Sequence, residues 1–148
     1  MAMSESFPAH GAIPVGLGPE GIAIDGEGRR GYVACARSDS VTVFDLDSRE
    51  VVAKVPVGRE PIGLVHDRAG GHVFTTDARS DVVSVVDTTS LKTIKQIPVQ
   101  HYPAGAGFYP ERRKVYVGNT AEGTVSVIDA DRLEVIATVP AKTAAGSL

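Results

Sequence analysis

The sequence predicts an all-β chain made of three four-stranded antiparallel units, and three observations carry that expectation. The first is a 42-residue period without a gap. Pro19, Pro61 and Pro103 keep that step, as do Gly21, Gly63 and Gly105, the aromatics Tyr32, Phe74 and Tyr116, and the acids Asp45, Asp87 and Asp129. Pro14, Pro56, Pro98 and Pro140 keep it too. The second is a succession of short apolar runs, rich in β-branched and aromatic residues and bounded by turn residues, with no stretch of helical period. The third is the presence of 16 Gly and 9 Pro in 148 residues, which implies many turns.

Each element follows from its residues. In the first unit, strand a is "GIAID", b is "GYVACA", c is "SVTVFD" and d is "EVVAKVPV", separated by "GEGRR", "RSD" and "LDSR". Strand a opens on Pro-x-Gly, a place for glycine where backbones crowd around a central axis. Strand c reads "VTVF", then "VSVV", then "VSVI". Apolar residues on both its faces mean cover on both sides, which sheets stacked on sheets provide. The acid ending strand c can accept from backbone N–H groups of the following turn. Strand d carries Pro56 and its equivalents, which lack a backbone donor, so it belongs at the outer edge.

The expected organisation is a tail over 1–11, an extra outer strand over 12–17, units over 18–58, 59–100 and 101–141, and a tail over 142–148. Composition narrows the function classes. Apolar residues make up 43% and charged residues 22%, ordinary for a globular chain. A formal charge of -3 leaves no excess of Lys and Arg, which disfavours nucleic acid and anionic membranes as partners. The single Cys35 excludes an internal disulfide and a cysteine-based metal framework. The N-terminus has neither a basic start nor a long apolar run, so the expected compartment is the cytoplasm, or the periplasm or exterior where a leader has been removed.

Four antiparallel strands repeated at this length match the size of a β-propeller blade. The stretch "YVGNTAEGTVSVIDADRLEVIATVPA", from Tyr116 to Ala141, resembles the YVTN-type β-propeller repeat. That repeat runs as Tyr-Val-Thr-Asn, a Thr-Val-Ser-Val-Ile-Asp strand, a Val-x-x-Thr-Ile-x-Val-Gly strand, then Pro-x-Gly and a Pro-Asp-Gly turn. The likeness spans about Ile13 to Ala141 and departs in places. The motif's Asn stands as Asn119 in one unit but as Cys35 and Asp77 in the others, and "DGEG" and "DRAG" replace the Pro-Asp-Gly turn. Propellers of this type host lyases, lactonases and redox subunits, so the resemblance implies a fold rather than one activity.

Propellers usually close with four to eight blades, so three leave apolar faces in want of cover. The expectation is a homodimer about a twofold axis giving a six-bladed ring; the alternative is a piece of a longer propeller. The extra N-terminal strand would add to the edge of a partner's third blade.

Loops joining d to a and b to c gather at one face of a propeller, around the mouth of the channel, and loops on a rigid scaffold carry binding residues. That face is expected to hold Arg37, Asp39, Arg59, Glu60, Arg79, Asp81, His101, Tyr102 and Asn119 as ligand-binding candidates. "ARSD" occurs twice, and its arginines suit a carboxylate or phosphate, whereas Asp39 and Asp81 suit local turn contacts. His101 and Glu122 are the candidates for moving a proton, and His66 faces the channel or its far opening. Cys35 reads as a buried, inert thiol. No metal, covalent-haem, nucleophile-elbow or phosphate-loop motif is present in the sequence, and no cofactor is expected. The favoured function is a binding scaffold for a small polar or anionic ligand or a protein partner, and the rival is a lyase or hydrolase acting on an anionic small molecule at the same face.

Overall fold

The computed structural model describes residues 11–141. These form twelve strands: β1 (Pro19–Asp25), β2 (Arg30–Cys35), β3 (Ser40–Asp45), β4 (Val51–Pro56), β5 (Pro61–Asp67), β6 (His72–Asp77), β7 (Val82–Asp87), β8 (Lys92–Pro98), β9 (Pro103–Tyr109), β10 (Lys114–Asn119), β11 (Thr124–Asp129) and β12 (Glu134–Pro140). A short 3-10 turn at Pro110–Arg112 follows β9. Each successive set of four strands is one antiparallel sheet in simple sequence order. The all-β architecture of three four-stranded sheets is therefore the observed one.

The local chemistry repeats with the period. In every sheet the first two strands slip register just after the opening proline, and the last two slip once near the middle of strand c. Asp45, Asp87 and Asp129 each accept two backbone N–H groups of the next turn, from Asp47 and Ser48, Thr89 and Ser90, and Asp131 and Arg132. These bonds hold all three carboxyls below the usual range, because they favour the ionised form. The proline strands β4, β8 and β12 lie at the outer edges, where a missing donor costs nothing.

The sheets stack like wedges. The inner strands β1, β5 and β9 pack side by side, while the outer strands β4, β8 and β12 barely touch. A Cβ on Gly21 would meet Ile62 O at 2.5 Å, and one on Gly63 would collide with Ala104 O, so both glycines are dictated by close backbone approach near the axis. Two apolar seams result. Tyr32, Val41, Val43 and Val55 of the first sheet meet Leu64, Val73 and Val86 of the second. Phe74, Val83, Val85 and Ile97 of the second meet Val115, Val117 and Ile128 of the third.

Charged latches close each seam at the a-to-b end. Arg68 Nη1 donates to Asp25 at 2.6 and 2.7 Å, and Arg113 grips Asp67 through two bonds of 2.7 Å. Asp67 has a fully buried side chain. Burial pushes its pKa up, but the bonds from Arg113 and Gly70 outweigh this, and the carboxyl stays below its usual range.

The segment expected as an extra outer strand on a partner's blade makes its own contacts within the chain. In the single chain, residues 11–16 have no strand pairing. A strand needs a hydrogen-bonding neighbour, and the edge assigned to this one lies on another sheet. Instead Ile13 and Val15 pack onto Val33, Cys35 and Phe44, on the face of the first sheet that points away from the second. Gly16 N–H donates to Thr42 Oγ1 at 3.1 Å and Leu17 N–H to Ser38 Oγ at 2.6 Å. The same two bonds recur one unit later, from Gly58 to Ser84 Oγ and from Arg59 to Ser80 Oγ. Most of the predicted tails, 1–10 and 142–148, lies outside the described residues.

Candidate binding face

The d-to-a and b-to-c turns do converge on one end of the stack. Their geometry is set by left-handed residues at fixed positions: Gly18, Glu60 and Tyr102 in the first set, Asp39, Asp81 and Gly123 in the second, with φ between 51° and 66°. Glycine fills this conformation without cost, but Glu60 and Tyr102 need support. The preceding unit supplies it. Asp39 Oδ1 accepts from Glu60 N–H at 2.9 Å, and Asp81 Oδ1 accepts from Tyr102 N–H at 3.0 Å. The local turn contacts expected of Asp39 and Asp81 are thus replaced by clamps on the next loop, because a left-handed residue aims its N–H at the neighbouring unit.

Glu60 is the hub. Its Oε1 accepts from Arg79 Nε at 2.8 Å and its Oε2 from the Tyr102 hydroxyl at 2.5 Å. The Tyr102 bond, followed by Arg79, holds the Glu60 carboxyl below its usual range, and the same bond raises the Tyr102 phenol. Next to it, His101 Nδ1 lies 3.0 Å from Asp81 Oδ2 and its Nε2 3.3 Å from Glu122 Oε1. The hydrogen bond to Asp81, then the charges of Asp81 and Glu122, push the imidazole pKa up. These contacts stabilise the cationic form of His101, which suits it to act as a charge partner.

The expected residues sort into three groups. Glu60, Arg79, Asp81, His101, Tyr102 and Glu122 come together in this network, with Asp39 bracing it. Arg37 and Arg59 are exposed beside it, and no ion pair engages either guanidinium among the described residues. Asn119 does not reach the surface. It is buried, and its amide donates to Ser126 Oγ at 2.9 Å and Thr124 Oγ1 at 3.1 Å. It belongs to a column with Cys35 and Asp77 at the end of strand b, which fastens strand c from inside. Cys35 is fully buried there, as expected of an inert thiol. Asp77 accepts from Gly58 N–H, Thr75 and Ser84, yet burial pushes its pKa up to about 6.

A concave site at the opposite end was not singled out from sequence. It lies between the ends of β5 and β9 and is lined by His66, Asp67, Arg68, Ala69, Phe108, Pro110 and Arg113. The one signal pointing there was the placement of His66 at the channel. The pairing of Asp25 and Asp67 at the 42-residue step was legible but silent about its arginine partners, which come from different positions of the repeat. No group of three or more metal-ligating side chains occurs among the described residues. Nor does any helix among them have the length and apolarity to cross a membrane.

Neither a protein-family model nor a curated protein matches the chain. Solved structures do. The chain is similar to Kuenenia stuttgartiensis hydrazine synthase at 26% identity and a TM-score of 0.78, covering 90% of this chain and 39% of that one. It is similar to U3-55K at 11% identity and a TM-score of 0.76, covering 86% and 40%. A functionally unknown protein from Desulfotomaculum acetoxidans DSM 771 superposes at 17% identity and a TM-score of 0.72, covering 84% and 43%. The chain thus spans about two fifths of each. With the wedge-stacked sheets, these likenesses establish a β-propeller type of fold in which three blades are present.

Proposed function

We propose that the chain is a binding scaffold: a YVTN-type propeller segment that pairs with a second copy and engages a small polar ligand or a protein partner through its d-to-a and b-to-c loops. The observation that carries the reading is the state of Glu60. Its carboxylate is already divided between Arg79 and Tyr102, so the loop face is a preset pattern of donors and acceptors rather than a poised acid and base. Exposed Arg37 and Arg59 beside that pattern suit an anionic group on the ligand. Pairing of copies is favoured by the end faces, where Tyr116 and Val139 are exposed although their counterparts one and two units earlier are buried.

One observation favours the rival lyase or hydrolase reading, namely His101 held between Asp81 and Glu122. Two measurements separate these readings. Light scattering of a scaffold dimer gives about 31 kDa, twice the 15.5 kDa chain; a monomer at high concentration removes the pairing. A thermal-shift screen of small carboxylates and phosphates should find ligands whose stabilisation is lost in Arg37→Ala/Arg59→Ala. Turnover of such a ligand that disappears in His101→Ala would favour the enzyme instead.

A further inference from the structure

At the end of the stack opposite the loop network, the cavity between β5 and β9 has a volume of about 580 Å³. That lies within the range of sites for small organic molecules, roughly 300 to 1,000 Å³. We propose that it binds a small neutral molecule with an aromatic body and a single hydroxyl group.

Three properties of the walls define that ligand. The lining is mostly apolar, from Phe108, Ala69, Pro110 and the stem of Arg68. The charges at the rim are already paired: Arg113 with Asp67 and Asp131, Arg68 with Asp25 and Glu27. A charged ligand would have to break one of these pairs to find a counter-ion, which favours a neutral one. The remaining group is His66. Its side chain is only 11% exposed, its ring stacks on Tyr32 at 5.5 Å, and its Nε2 lies 3.9 Å from Asp25 Oδ2. No hydrogen bond reaches the ring among the described residues.

His66 is partly buried and its ring has no hydrogen-bond partner among these residues, so it is free to pair with a ligand, and burial lowers its pKa, which favours the neutral form. A neutral imidazole offers one donor and one acceptor, and a hydroxyl satisfies either. Phe108 supplies an aromatic surface for the body of the ligand, while Arg113, 5.6 Å over its ring, holds that surface in place. This site is independent of the loop face, where the proposed polar ligand binds.

The test titrates the full chain with p-cresol, toluene and p-toluate, following heat and the His66 ring signals by NMR. p-Cresol should bind about tenfold more tightly than toluene, the worth of one good hydrogen bond, and should move the His66 signals. p-Toluate should bind no better than toluene. His66→Ala should reduce p-cresol to the toluene level. Ala69→Phe, at an exposed turn position where a ring would fill the cavity, should abolish binding of both. The proposal is overturned if p-cresol gains nothing over toluene, if it binds Ala69→Phe unchanged, or if no probe binds. Should His66→Ala fail to fold, unmoved His66 signals in the unsubstituted chain overturn it equally. Loss of the loop-face ligand leaves these readouts untouched.

Discussion

Tyr32, Phe74 and Tyr116 hold the same place in successive sheets, yet the first two are 1% exposed and the third is 41% exposed. Val55 and Val139 diverge in the same way, at 1% and 47%. On the opposite end face Ile22 is 58% exposed, whereas its successor Leu64 is buried. Equivalent positions of the repeat thus meet opposite environments, and what sets them apart is whether another sheet follows. The inner seams are a finished core; the outer faces are the same core cut open. The first sheet has a partial remedy, since Ile13 and Val15 lie across Val33, Cys35 and Phe44. Among the described residues the third sheet has no such cover.

Substituting across this divide should expose it most strongly at the aromatics. Phe74→Ala, which empties a buried site in the second seam, should cost about 3–5 kcal/mol in urea unfolding. Tyr116→Ala should cost only about 1 kcal/mol at low protein concentration. If Tyr116→Ala proves as costly as Phe74→Ala, and more so as concentration rises, another copy covers that face in solution.

The latches offer a second contrast. Arg113→Ala strands the buried Asp67 carboxylate and should cost about 3 kcal/mol. Arg29 occupies the equivalent position in the first sheet, but its ion-pair partner among the described residues is exposed Asp47, so Arg29→Ala should stay within about 0.5 kcal/mol. Equal losses in thermal unfolding would erase the distinction between a seam and a free face.

The column Cys35, Asp77 and Asn119 sharpens the comparison between sheets. Asp77 titrates at about 6 in the fold, above the ordinary 3.8. The folded chain therefore holds a proton that the unfolded chain has already lost. This contribution is complete below about pH 4 and is lost as pH rises through 6. Asp77→Asn, which copies the third sheet, should remove that decline and raise stability at pH 8 by up to about 3 kcal/mol. Urea melts at pH 4 and pH 8 measure it; a variant less stable at pH 8 would mean that Gly58 and Ser84 require the anion.

The smallest effect belongs to the loop face. Tyr102→Phe removes an exposed bond to Glu60 and should shift the unfolding temperature by no more than about 2 °C. It should instead weaken any ligand found there. A large loss of stability would reassign that network from recognition to folding.

Much of the fold was legible because its signals are local and repeated. Proline on β4, β8 and β12 marked the outer edges, the acids ending β3, β7 and β11 marked their turns, and Gly21 and Gly63 marked the crowded axis. The binding face was half legible. Loop order placed Glu60, Arg79, Asp81, His101 and Tyr102 at one end, but nothing local says that Glu60 takes both Arg79 and Tyr102. Asn119 was misplaced because the end of a strand and the start of a loop look alike in sequence; register turned its side chain inward. His66 and Phe108 line one cavity from successive sheets, a meeting set only by how far the wedges open.

By itself the sequence determined strand, turn and edge, since each depends on a few neighbouring residues and recurs at every 42nd position. Only the stacking decided which copy of a repeated residue is core and which is surface, and which charges find partners across a seam. The physical reason is that burial and ion pairing belong to two sheets at once, and a periodic chain writes the same residues whether or not the second sheet is there.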